Sequence, residues 1–218
     1  WQLARLGIPV RLWEMRPLVE TPAHTGGDLA QLVCSNSLGS TDTSTASGLL
    51  MAELRQGGSL LLEAAEACRV PAGGSLSVDR EALARHVTRV LEETPGITLV
   101  REEFSVWPEE GQNCLLATGP LTSPALVAAL VERTGADSLY FYDATSPVVA
   151  ADSIDMSRVY EASRYGKGTP DFLNIPLEQE AYASWVDALV RAETVPLNEA
   201  DRALFFEGCL PVEEIARR

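Results

Sequence analysis

"WQLARLGIPVRLWEMRP", residues 1–17, is the stretch on which the reading of the fold turns. Trp1, Leu3 and Leu6 have the spacing of a helix end, and Gly7 follows where a helix needs a C-terminal stop. "IPVRLWEM" then reads as a short strand that closes on Glu14. Helix, glycine, strand and terminal acid make the second half of a βαβ dinucleotide-binding unit, in which the acid after the second strand receives ribose hydroxyls. In such a unit a Gly-rich turn lies about 20 residues ahead of the acid, which here is upstream of Trp1. The sequence therefore reads as a fragment that starts inside the first helix. The alternative for Glu14 is a surface acid after an ordinary strand.

Working outward, "NCLLATGPL", residues 113–121, supplies a second signal. It predicts an apolar strand over Cys114–Ala117 running into Thr118 and Gly119, where a residue without a side chain lets backbone approach a nucleotide. Behind a βαβ remnant, this turn resembles the flavin-binding Rossmann domain of two-dinucleotide-binding flavoproteins. Between the two signals, "SVDREALARHVTRVLEET" predicts an amphipathic helix with Leu83, Val87, Val90 and Leu91 on one face. "GITLVREEFSVWP" reads as two strands broken by polar residues. Beyond Pro120 the pattern changes. A helix begins at Ser123 with Pro124 in its first position and stops at Gly135. "SLYFYDATSPVVA" reads as a strand, and "LEQEAYASWVDALVRAE" as another amphipathic helix. The expected fold is α/β. It comprises a partial Rossmann-like FAD-binding domain over residues 1–122 and an inserted mixed α/β domain over 123–218, cut at its C-terminus.

Composition bounds the function. The 218 residues are 46% hydrophobic with a mean hydropathy of +0.02, values typical of a globular protein. No run of about 18 apolar residues exists to span a membrane, and no signal peptide is visible at the start. The four cysteines, Cys34, Cys68, Cys114 and Cys209, form no CxxC pair. That argues against a zinc site and a disulfide scaffold, so no metal is expected and a reducing cytoplasm is. Cys68 and Cys114 lie in apolar contexts that suit packing. Cys34 opens the polar stretch of "LVCSNSLGS" (32–40), and Cys209 follows Gly208; both sit where the chain bends, with small neighbours that leave the sulfur approachable. A net charge of −14 argues against a large nucleic-acid footprint on average. The densest local exception is "SRVYEASRYGKG", where Arg158, Arg164 and Lys167 alternate with Tyr160 and Tyr165; an ordinary solvated loop is its plain reading. Of the two histidines, His86 falls inside a helix and His24 in a loop.

Ten segments in order, "LWEMRP", "TPAHT", "LVCSNSL", "VPAGGSLSVDR", "LLATGPLTS", "YFYDATSPVV", "SRYGKG", "DFLNIPL", "ETVPL" and "FFEGCLPVEEIA", closely resemble the TrmFO family of folate- and FAD-dependent tRNA (uracil-5-)-methyltransferases. The likeness covers nearly the whole chain but lacks the family's N-terminal glycine loop and its C-terminal portion. It implies methylation of C5 of a T-loop uridine in tRNA. The carbon would come from 5,10-methylenetetrahydrofolate and the reducing equivalents from NAD(P)H through FAD. It implies that one of Cys34 and Cys209 is the nucleophile and the other a base or the shield of a reactive centre, without saying which takes which. Glu14 would hold the ribose, and Thr118 with Gly119 would touch the flavin. Ser35, Asn36 and the paired Gly73 and Gly74 would line the isoalloxazine, a simple turn being the other reading of the glycines. His24 is a candidate contact to cofactor or folate. With tRNA as partner, Arg158, Arg164 and Lys167 become RNA-phosphate contacts; neither DNA nor membrane is expected. Two alternatives stand beside this: a related tRNA uridine-modifying flavoprotein of the glucose-inhibited division family, and a fragment that only binds or is inactive.

Overall fold

The computed structural model of the chain describes residues 1–21, 23–33, 35–108, 110–135, 149–194 and 212–218. Cys34, Cys209, most of "SLYFYDATSPVVA" and the greater part of "FFEGCLPVEEIA" lie outside them.

The N-terminal reading holds in outline. Helix α1 is a single turn, Gln2–Arg5. Gly7, at φ +76°, reverses the chain after it, a conformation that costs any residue with a Cβ. Strand β1, Val10–Trp13, follows and delivers Glu14 at its end. The next elements in order are strand β2 (Ser37–Ser40), helix α2 (Ala46–Gln56) and helix α3 (Leu60–Ala67). They lead into strands β3 (Arg69–Val70) and β4 (Ser75–Val78), helix α4 (Arg80–Glu93) and strand β5 (Ile97–Val100). β1 and β5 pair in parallel, Val10 opposite Ile97 and Trp13 opposite Val100, and α4 lies between them in sequence as a crossover helix should. The second sheet is antiparallel, in the order β2-β4-β3.

The core lies where α3 and α4 meet this second sheet. Met51, Leu60, Leu62, Ala64, Ala65, Leu76, Val78, Leu83 and Val87 form one buried cluster, with Trp1, Leu38 and Cys68 packed on its margin. Each fully buried Leu or Val contributes about 1.5–3 kcal/mol relative to exposure. The α4 face predicted from periodicity is thus the face that packs. Asp79 caps α4 by accepting from the Ala82 N–H. Thr88 then ties the 23–33 loop to the helix, accepting from the Leu29 N–H at 2.7 Å.

Helix α5, Pro124–Thr134, starts at Ser123 and ends at Gly135 as the sequence predicts. Strands β6 (Tyr160–Ala162) and β7 (Phe172–Asn174) form an antiparallel hairpin. It is followed by helix α6, Gln179–Arg191, and the short helix α7, Val212–Arg217.

Two expectations fail. No strand forms over Cys114–Ala117: the segment is irregular, Cys114 is exposed and Leu115 is 85% exposed. A parallel strand is stabilised by ladder bonds and two covered faces, and the described residues offer this segment neither. The packing role for Cys114 falls with it. Only one strand, β5, forms in "GITLVREEFSVWP", because Arg101 turns inward and donates to the Arg16 carbonyl at 3.0 Å and also to that of Gly27. Among the described residues no helix is long and apolar enough to cross a membrane.

Candidate functional site

Glu14 stands at the carboxyl end of β1, its N–H bonded to the Val100 carbonyl at 3.0 Å, which fixes it beside the end of β5. This is the edge of a parallel sheet where nucleotides bind. Its carboxylate is gripped by Arg16. The Arg16 N–H and Nε donate to Oε1 at 2.9 and 3.0 Å, and Nη2 donates to Oε2 at 3.0 Å. Arg16 is 5% exposed and also donates to the Gln31 side chain and the Asp28 carbonyl. Burial raises the Glu14 pKa, but the Arg16 hydrogen bonds, and after them the Arg16 and Arg101 charges, outweigh it and hold the carboxyl below its ordinary value. Glu14 is therefore anionic at neutral pH, and Oε2, with one bond from Arg16, retains capacity to accept a hydroxyl.

The polar stretch after residue 34 runs along β2. Ser35 is exposed and its hydroxyl accepts from the Ser37 N–H at 3.1 Å. Asn36 pairs with Val78 through both main chain and side chain, at 2.9 and 3.2 Å, which pins the start of β2 against the end of β4. Gly73 and Gly74 form the turn before β4, and the Gly74 carbonyl accepts from the Thr41 N–H and hydroxyl. Ser35, Asn36, Gly73 and Gly74 thus belong to one β2–β4 layer, whereas Thr118 and Gly119 sit in an exposed 3-10 turn, Gly119–Leu121, on a different part of the chain. His24 packs Nδ1 against the Thr21 hydroxyl at 2.6 Å.

The basic candidates fall around the β6–β7 hairpin. Arg158 precedes β6; Arg164 and Lys167 lie in the loop between the strands, and all are exposed. That loop is seated on the Gly73–Gly74 turn. Asp171 accepts from the Gly73 N–H at 2.7 Å and from the Thr169 hydroxyl. A Cβ on Gly168 would lie 2.7 Å from the Gly73 carbonyl carbon, so only glycine allows this approach. Arg16, Arg101, Gly168 and Asp171 escape a sequence reading because partners that fix them, Asp28, Gly27 and Gly73, are distant in the chain; the Glu14-x-Arg16 and Thr169-x-Asp171 spacings are the local hints.

The family model of glucose inhibited division protein A matches residues 1–218, the entire chain. The chain belongs to the glucose inhibited division protein A family. Within that breadth, curated relatives point one way. The chain is 56% identical over all 218 residues to methylenetetrahydrofolate–tRNA-(uracil-5-)-methyltransferase TrmFO of Moorella thermoacetica. It is 53% identical to the TrmFO of Koribacter versatilis and 49% identical to that of Aquifex aeolicus, again over its full length. The matched stretch is 50, 49 and 49% of those relatives, so the chain spans about half the length of the curated relatives it matches. The TrmFO resemblance drawn from the ten motifs is borne out at the level of family and of similarity.

Proposed function

We propose that this chain is part of a cytoplasmic folate-dependent tRNA methyltransferase. It would place a methyl group on C5 of a T-loop uridine, with 5,10-methylenetetrahydrofolate as carbon donor, FAD as flavin and NAD(P)H as reductant. The observation that carries the reading is 56% identity across the entire chain to the methylenetetrahydrofolate–tRNA-(uracil-5-)-methyltransferase TrmFO of Moorella thermoacetica. The division into a flavin-binding part over 1–122 and an inserted part over 123–218 belongs to the same proposal.

The residues present fit the ribose end of FAD. Glu14 is anionic, lies at the carboxyl edge of the β1–β5 pair, and keeps a free acceptor position on Oε2. Ser35, Asn36, Gly73, Gly74, Thr118 and Gly119 are the residues proposed to hold the rest of the flavin. When bound, FAD would supply the redox chemistry that brings a methylene-level carbon to a methyl group. The chain's own part is to make C5 of uracil, a poor nucleophile, reactive. One thiolate of the pair Cys34 and Cys209 adds to C6. The C5=C6 electrons pass toward O4, and C5 becomes nucleophilic. After the new bond forms at C5, the second cysteine removes the C5 proton and the S–C6 bond breaks, restoring the ring. Arg158, Arg164 and Lys167 would neutralise RNA phosphates.

The test uses the gene product that contains this chain, mixed with methylenetetrahydrofolate, NADH and a T-arm RNA carrying 5-fluorouridine at the target. Fluorine cannot leave as a proton does, so the enzyme is expected to stall as an RNA adduct on a peptide containing Cys34 or Cys209. Finding no adduct by mass spectrometry, and no methyl group on the natural T-arm, sinks the proposal. The family model's name keeps a second reading in view, a related uridine-modifying flavoprotein. That reading expects flavin binding with the T-loop uridine unchanged.

A further inference from the structure

We propose that Tyr165 is a stacking platform for an unpaired RNA base, with Arg164 and Lys167 set beside it for the flanking phosphates. The inference rests on the tRNA reading for its class of partner, and adds a residue and a mode of contact that the basic residues alone do not imply.

Tyr165 is 90% exposed, and no other large apolar or aromatic side chain among the described residues is as open. A tyrosine buries its ring wherever a core or groove offers itself, since the ring carries a large apolar area. Here the loop holds it out. The backbone at Tyr165 is also strained, with φ at +58°; only Ala30 shares a positive φ among the described non-glycine residues. A bulky residue in that region is an outlier that persists when its surroundings over-determine it, and such positions collect at ligand contacts.

The surroundings do over-determine it. β6 and β7 close the loop from both sides, with Ala162 opposite Phe172. Gly168 lies flush on Gly73, and Asp171 holds the Gly73 N–H at 2.7 Å. The far side of the loop is thus fastened to the β2–β4 layer, which carries Asn36 and Ser35, while the Tyr165 ring stands clear of the described residues. A rigid exposed ring loses little entropy on binding a flat partner.

Charge selects the partner. Between Arg158 and Lys167 stand three cations and one acid, Glu161, in a chain whose net charge is −14. Lys167 Nζ is 4.0 Å from Asp42 Oδ2, the lysine largely and the aspartate about half exposed. Such a surface pair is weak enough to exchange for a phosphate. An aromatic face flanked by cations on a single loop is the arrangement that binds single-stranded nucleic acid by stacking and backbone neutralisation.

The experiment measures binding of a fluorescent T-arm hairpin RNA to the gene product that contains this chain, by anisotropy over a salt series. Tyr165→Phe should bind within twofold of wild type. Tyr165→Ala should bind roughly 5- to 150-fold more weakly with an unchanged salt slope, the loss expected for one stacked base. Arg164→Ala should lower the slope of log K against log salt by about 0.7, the value for one single-strand phosphate contact. Tyr165→Gly relaxes the backbone, so it folds at least as well as wild type and serves as the check that lost binding is not lost structure. The proposal is overturned if Tyr165→Ala binds like wild type, or if Tyr165→Phe is as weak as Tyr165→Ala, which would assign the effect to the hydroxyl. It is also overturned if RNA affinity holds while the KM for methylenetetrahydrofolate rises, which would make the ring a folate contact. A wild-type protein that binds RNA and methylates it, with Tyr165→Ala indistinguishable, ends this inference and leaves the proposed function standing. A wild-type protein that neither binds nor methylates T-arm RNA ends both.

Discussion

Glu14 and Arg16 show how one pair of side chains can prepare a ligand site and hold a fold together. A carboxylate at the end of a strand is solvated unless something else satisfies it. Arg16 does so through three hydrogen bonds while also reaching Gln31 and the Asp28 carbonyl, so the 23–31 loop is drawn against the sheet edge. Because the folded-state pKa of Glu14 is lowered, the stability it contributes is present above its ordinary value of 4.5 and fades as pH falls through the depressed value. Glu14→Gln should therefore be less stable than wild type at pH 7, and the gap should narrow as pH drops toward 3. Urea titrations at the two pH values check this; a gap that stays constant would show that the ionised carboxylate contributes nothing. Arg16→Ala should be the more damaging change, by about 3 kcal/mol, since it strands a half-buried charge.

At the scale of elements, helix α2 is held by a contact that allows no side chain. Thr45 caps it, accepting from the Gly48 N–H at 3.2 Å, and the preceding turn folds back so closely that a Cβ on Gly48 would lie 2.1 Å from the Asp42 carbonyl oxygen. In an open helix Gly→Ala gains up to about 1 kcal/mol. Here the displaced backbone costs about 1–3 kcal/mol, so Gly48→Ala should lower the thermal midpoint, whereas a raised midpoint would mean the Asp42 turn yields freely. The same helix shows why some elements were legible and others not. α4, α5 and α6 announce themselves through Asp79, through Ser123 with Pro124, and through apolar residues at helical spacing. α2 misleads: Ala46, Leu49, Leu50 and Leu54 have helical spacing, yet all three leucines are exposed and only Gly48 and Met51 are buried, so the apolar row is not the face that packs. The run at Cys114–Ala117 misleads in a different sense, since apolar composition predicts a strand but only a neighbouring ladder makes one. At the site, Glu14 was legible from its place after a strand. The Asp171 to Gly73 bond was not, because 98 residues separate its ends.

At the scale of the whole molecule, burial among the described residues is unevenly shared. The buried cluster draws only on residues between Met51 and Val87, whereas β6, β7 and α6 bury no residue at all. α6 has the short helix α7 as its neighbour but no buried residue, and a helix of 13 residues is marginal without a buried face, so the two regions should differ in cooperative stability. Hydrogen exchange read by mass spectrometry on the purified chain should find the highest protection in α3, β4 and α4, and markedly lower protection over 160–191. Protection of α6 equal to that of α4 would mean that the later region folds in one unit with the core, and the division proposed at residue 122 would fall. Within the hairpin, Asp171 should set the level. Hydrogen bonds from Thr169 and from the Gly73 N–H hold its carboxyl below the usual range, so the fastening is intact above the ordinary aspartate pKa and weakens as pH falls through the depressed value. Asp171→Ala should therefore lower protection over 160–174 at neutral pH and leave α4 unchanged. Acidification should bring wild type toward the variant in that segment. A variant that also loosens α4 would place Asp171 in the core's cooperative unit, and the β6–β7 loop could then no longer be treated as a separately fastened platform.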